Sequence, residues 1–168
     1  KELFPLLLRQ GEPLYGYSCN GYWMDMGTPE KYLQLNCDLL LGKAKSALID
    51  GLGKNEVRCA EGVSVHSSAQ ITGPAIIGNH CTIGPAVHIR GPVAIGPNSI
   101  IDDGAEIERT VLWEGAHIGA GAILKGCVLG SNTAVDDSAR LTNCVVPGNN
   151  GGKANADVRS KGQIHRQP

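Results

Sequence analysis

A six-residue repeat governs the second half of this sequence. In "ITGPAIIGNHCTIGPAVHIRGPVAIGPNSI", residues 71–100, isoleucine recurs at 71, 77, 83, 89 and 95, and then again at 101. The step begins at Val65 and runs unbroken to Ile107. It then shortens to five at Leu112, returns to six at Ile118 and Leu124, and shortens again at Leu129 and Val146. The short steps recur every 17 residues. A strand repeats every two residues and an α-helix every 3.6, so neither accounts for a period of six. A coil made of three such steps does.

Taking every third position gives three columns. The first holds Ile71, Ile89, Ile107, Leu124 and Leu141; the second Ile77, Ile95, Leu112, Leu129 and Val146; the third Val65, Ile83, Ile101, Ile118 and Val135. Every member is Ile, Leu or Val. Two positions before each sits a smaller residue, among them Ala69, Ala75, Cys81, Ser99, Ala105, Thr110, Ala116, Ala122 and Cys127. Small-x-large is the alternation of a short strand with one face inward. Gly78, Gly84, Gly96, Gly119 and Gly130 follow the column residue, with Asp102 and Asp136 at the equivalent place in other coils. These types tolerate the positive φ that a corner demands, and Pro85 and Pro97 stiffen the same corners. The expected object is a triangular prism of stacked coils, each strand pairing in parallel with the strand one coil away. At roughly 1.5–3 kcal/mol per buried aliphatic side chain, the columns suffice to hold it together.

Composition agrees. Hydrophobic residues make up 42% of the chain but aromatic ones only 4%, as a narrow aliphatic interior requires. A formal net charge of -1 gives no electrostatic case for nucleic acid or an anionic membrane, and no apolar run approaches a membrane span. The six cysteines are widely spaced, with no CxxC, and read as reduced thiols of a cytoplasmic protein.

The first sixty residues follow a different grammar. "KELFPLLLRQGEP" reads as a short helix ending at glycine. "PLYGYS" and "GYWMD" read as strands flanking a turn at Cys19–Asn20. "TPEKYLQLNCDLLLGK" reads as a helix with Thr28 as N-cap, Pro29 at its first position, Glu30 in its first turn and Gly42 as its stop. Such a set has too little core to stand alone. The tail from 147 to 168 has no period and is expected to be a flexible end, draped over the last open coil.

The repeat, over residues 57–146, resembles the hexapeptide-repeat left-handed parallel β-helix; the left hand is implied by the resemblance alone, since general chirality favours right-handed crossovers. The segment "GYWMDMGTPEKYLQLNCDLL" resembles the end of the catalytic domain in nucleotidyltransferases that make nucleotide-sugars, of the mannose-1-phosphate guanylyltransferase and glucose-1-phosphate thymidylyltransferase type. Their order is a Rossmann-like domain, this W-x-D-x-G-T-P segment, then a hexapeptide β-helix. The last two parts stand here in that order, and no GGxGxRLxPLT-like loop is present. With Lys rather than Met at position 1, the chain is expected to be the C-terminal piece of such an enzyme. Residues 1–45 would be the end of the catalytic domain and 57–146 the β-helix.

The resemblance implies a reaction of nucleoside triphosphate with sugar-1-phosphate, giving nucleotide-sugar and pyrophosphate with magnesium. Asp25 matches the family's magnesium-binding carboxylate. No catalytic residue is assigned within this piece, which alone is expected to be inactive. Two alternatives stand beside the enzyme: a non-catalytic regulatory relative, and a hexapeptide-repeat acyltransferase, although no long loop interrupts the coils.

Other groups read as structural. His66, His80, His88 and His117 fall on different columns or corners and form no zinc set. Cys127 and Cys144 sit one coil apart on one inward row, within approach of each other as packed thiols. The outward positions differ by face. Those before the second column, Ile76, Ala94, Val111, Val128 and Val145, are all apolar, and Trp113 takes a corner glycine's place. An outward apolar stripe marks a contact surface, here expected to meet another subunit of a homo-oligomer or the rest of the catalytic domain.

Overall fold

The structure is a computed structural model describing residues 2–47, 49 and 52–148, together with the backbone of 153–154 and 158–159. From residue 57 the described chain forms three parallel sheets of six strands, and successive strands pass from sheet to sheet so that each pairs with the strand one coil away. The register is the column pattern. Ile71 pairs with Ile89, Ile89 with Ile107, Leu124 with Ile107 and with Leu141. Ile77 pairs with Ile95, Leu112 with Ile95 and Leu129, and Leu129 with Val146. Val65 pairs with Ile83, Ile83 with Ile101, and Ile118 with Ile101 and Val135.

Column residues from Ile77 to Val146 are buried, and the small residues before them fill the prism axis. At the first coil the core opens: Val65 is 41% exposed, because no described coil lies beneath it. The polar axis residues are satisfied. Ser99 Oγ donates to the Gly96 carbonyl at 2.7 Å, Thr110 Oγ1 to that of Glu108 at 2.8 Å and Thr133 Oγ1 to that of Gly130 at 2.7 Å. Burying such hydroxyls is tolerable only with partners of this kind.

The change of rhythm has a structural cause. All three five-residue steps turn the corner from the first face to the second. In the early coils two residues turn it, Gly73–Pro74 and Gly91–Pro92; later a single residue with positive φ does so, Arg109 (45°), Gly126 (66°) and Asn143 (48°).

The corner glycines do not have the role read from sequence. None of Gly78, Gly84, Gly96, Gly119 and Gly130 has positive φ; that conformation falls two residues later, at His80, Ala86, Asn98 and Asn132 among others. What glycine supplies is room between coils. A Cβ on Gly78 would meet the Pro97 nitrogen at 2.6 Å, and one on Gly96 the Glu114 nitrogen at 2.6 Å.

Before the prism lie two helices. α1, Leu3–Arg9, buries no residue. α2, Pro29–Leu40, starts as expected, with the Thr28 hydroxyl accepting from the Lys31 amide, and Gly42 follows its end with φ of 72°. Between them the two expected strands are absent. Residues 12–27 carry no strand, and Tyr17 and Trp23 are 92% and 83% exposed. β-branched and aromatic residues make a strand only against a partner, and no described backbone offers one there. The expected flexible tail lies mostly outside the described residues; within it, Lys153–Ala154 and Val158–Arg159 are strands pairing with Ala134–Val135 and Leu141–Thr142.

Candidate functional site

The apolar stripe of the second face is seated on by α2. Leu33, Cys37 and Leu40 recur at the i, i+4, i+7 spacing of one helix face and are buried. Leu33 and Cys37 pack with Val111 and Val128, flanked by Tyr32, Ala94 and Val145. Removing these side chains from water contributes roughly 1.5–3 kcal/mol each. Polar contacts set the helix's position. Trp113 Nε1 donates to Tyr32 Oη at 3.2 Å, the two rings meeting edge-on with centroids 6.2 Å apart. Arg109, at the shortened corner, donates from Nη2 to Gln34 Oε1 at 2.8 Å. The stripe residues named from sequence thus divide: Val111 and Val128 lie beneath α2, Ala94 and Val145 flank it, Ile76 is half-buried and Trp113 stays partly exposed. The surface against them is the chain's own helix, in the part that the resemblance assigns to the catalytic domain. Its signal in the sequence was the apolar spacing of Leu33 and Cys37 on one helix face.

Asp38, also on α2, is a buried carboxylate with three partners. It accepts from Tyr22 Oη at 3.0 Å and Gln34 Nε2 at 2.9 Å, and Lys43 Nζ lies 3.3 Å away. Burial alone would push its pKa up, but these three groups together hold the carboxyl below the usual carboxylate range. The contact to Tyr22 ties the irregular segment carrying Trp23 and Asp25 to α2.

Asp25 itself lies just before α2, with its side chain 65% exposed and Lys31 Nζ 4.0 Å away. An exposed pair of this kind contributes about 0–1 kcal/mol. From Met26 onward the chain borders an open apolar groove shared with Tyr32, Trp113, Val128 and Val145. Among the described residues no three His, Cys, Asp or Glu side chains gather as a metal site. Magnesium is commonly held by one or two carboxylates with water and phosphate oxygens, and Asp25 offers one exposed carboxylate.

The histidines are dispersed. His66 Nδ1 is 2.9 Å from Ser68 Oγ, and His117 Nε2 is 2.7 Å from Asp102 Oδ2 on the outside of the third face. Inside the prism, Cys144 Sγ donates to Cys127 Sγ at 3.5 Å, and that bond together with burial holds the Cys144 thiol above its usual range. No helix among the described residues is long and apolar enough to cross a membrane.

A parallel β-helix of six-residue steps, with a capped helix seated against one face, defines a hexapeptide-repeat protein. Residues 71–159 match the family described as the GMPPB C-terminal domain, and the chain belongs to that family. It is 34% identical over 115 residues to a mannose-1-phosphate guanylyltransferase of Mycobacterium tuberculosis, covering 68% of this chain and 30% of that protein. Identity to the mannose-1-phosphate guanylyltransferase catalytic subunit beta of Danio rerio is 30% over 148 residues, or 88% of this chain and 37% of that one. A glucose-1-phosphate adenylyltransferase of Clostridium perfringens is 29% identical over 136 residues, 81% of this chain and 30% of its own length. The chain thus spans about a third of the length of these relatives. Among solved structures, a perosamine N-acetyltransferase from Caulobacter crescentus is similar at a TM-score of 0.49 and 22% identity, over 59% of this chain and 50% of that one.

Proposed function

We propose that this chain is the C-terminal part of a sugar-1-phosphate nucleotidyltransferase, an enzyme that joins a nucleoside triphosphate to a sugar-1-phosphate and releases pyrophosphate. The observation that carries the reading is the seat of α2. The W-x-D-x-G-T-P segment leads directly into a helix seated on the prism through Leu33, Cys37 and Val128, which would join a domain closed by this segment to the β-helix. The names of the relatives support the same reaction class. Phosphoryl transfer of this kind depends on positioning and charge neutralisation. In the complete enzyme, magnesium would neutralise phosphate charge, and Asp25 would supply one of its carboxylates, the remaining ligands lying outside the described residues. The piece alone is inactive on this reading. The β-helix serves assembly or regulation in a cytoplasmic homo-oligomer.

The experiment is a pyrophosphorolysis assay of the full-length protein against a panel of nucleotide-sugars. At least one should release its nucleoside triphosphate in a magnesium-dependent manner, and Asp25→Asn should lower that rate by roughly 100-fold. Turnover equal to background across the panel would point instead to the non-catalytic regulatory relative. Full activity in the Asp25→Asn enzyme would remove Asp25 from the metal.

A further inference from the structure

Among the inward-facing residues, Cys127 and Cys144 occupy the same place in successive coils, each just before a paired strand: Val128 is in register with Val145 and Leu129 with Val146. The Val128 amide donates to the Cys144 carbonyl at 3.0 Å, so the two backbones run side by side here. Adjacent strands lie about 4.8 Å apart, which falls within the Cα separation of roughly 4.4–6.8 Å that a disulfide spans. The sulfurs are already in contact at 3.5 Å, and both are free thiols. Cys81, another buried cysteine of the prism, has its thiol on the Gly96 carbonyl at 3.2 Å instead.

A cavity adjoins the strand that follows Cys144. Cys144 forms part of the wall of a cavity of about 140 Å³ between α2 and the prism, bounded also by Leu33, Arg109, Gly126, Asn143 and Val145. A water molecule needs about 10–15 Å³ of such space, so the cavity has room for a molecule the size of hydrogen peroxide.

We propose that Cys127 and Cys144 form a reversible thiol–disulfide site, oxidised by a small peroxide that enters through the cavity beneath α2. One sulfur takes an oxygen from the peroxide as the O–O bond breaks, becoming a sulfenic acid, and its thiol proton leaves with the other oxygen as water. The second thiol attacks that sulfur; the S–O bond breaks, the disulfide forms and a second water leaves. Two thiols lose two electrons to one peroxide, which is reduced to two waters. The product staples one coil to the next beside the seat of α2.

The test uses the full chain with the exposed cysteines changed by Cys19→Ser and Cys59→Ser, to suppress links between molecules. The folded protein is treated with hydrogen peroxide, then denatured in an alkylating agent and digested without reductant. Trypsin cuts after Lys125 and Arg140, so the two cysteines fall on separate peptides. Expected are a linked peptide pair carrying Cys127 and Cys144, reversal by dithiothreitol, alkylated Cys37 and Cys81, and a Tm raised by roughly 5 °C. Full alkylation of Cys127 and Cys144 after treatment, or links confined to Cys37 or Cys81, would overturn the proposal. Val145→Phe, which narrows the cavity, should slow linking several-fold in a protein of unchanged circular dichroism. An unchanged rate would overturn the route through the cavity.

Discussion

In the coils between residues 75 and 146 the column residues are buried to within a few per cent, whereas Leu3, Phe4, Leu8, Tyr15, Tyr17 and Trp23 stand in water. Both regions are rich in apolar side chains. In the prism each column residue faces inward and stacks on its equivalents one coil away, so every coil completes the core of its neighbours. In the N-terminal segment the apolar groups have the composition of a core but no opposing surface among the described residues. α2 lies between these cases: its Leu33 and Cys37 found their surface on the second face. A polypeptide can therefore carry one region that folds by repetition and another whose apolar residues find no opposing surface among the described residues.

The largest effect expected from this contrast is in the column itself. Leu124→Ala, at a fully buried position, should cost about 3 kcal/mol in urea denaturation; a loss under roughly 1 kcal/mol would mean that the columns are not the core. Gly96→Ala comes next. Its new methyl would meet the Glu114 nitrogen at 2.6 Å, backbone that cannot swing away, and should cost about 2 kcal/mol. A neutral result would show that the coils have slack at the corners.

Asp38 ties the N-terminal segment to α2 and gives a pH test. Its folded-state pKa is lowered, so its contribution is present above the unfolded value of roughly 4 and is lost as pH falls through the lower folded value. Asp38→Asn should therefore cost about 1 kcal/mol at neutral pH, and the gap to the unaltered protein should close in acid. A gap independent of pH would assign the loss to packing. The smallest effect is expected at Tyr17→Ala, within about 0.5 kcal/mol; a larger loss in this chain would mean that the exposed segment has a partner after all.

The prism was legible because its geometry is written in residue type. Ile, Leu and Val at the column positions and small residues two places earlier specify the inward face, the register and the number of sides. α2 was legible from Thr28, Pro29 and Gly42, which mark its ends chemically. The strands expected around Tyr15 and Trp23 were not formed, because aromatic composition reports a preference that only a neighbouring strand can satisfy. The corner glycines were correctly placed but wrongly explained: sequence shows that a side chain is missing, while only the packed coils show which backbone would collide with it. The stripe of Val111 and Val128 was recognisable as a contact surface, yet its occupant was not, since nothing local to those residues points to a helix about eighty positions earlier.

Amide hydrogen exchange, followed residue by residue on the intact chain, tests the central contrast most directly. The account predicts the slowest exchange at the coil-to-coil amides of residues 75–146, intermediate protection along α2, and exchange at the unfolded-chain rate through residues 12–27. Uniform protection across the chain, or rapid exchange at the amides of Ile89, Ile107 and Leu124, would contradict it.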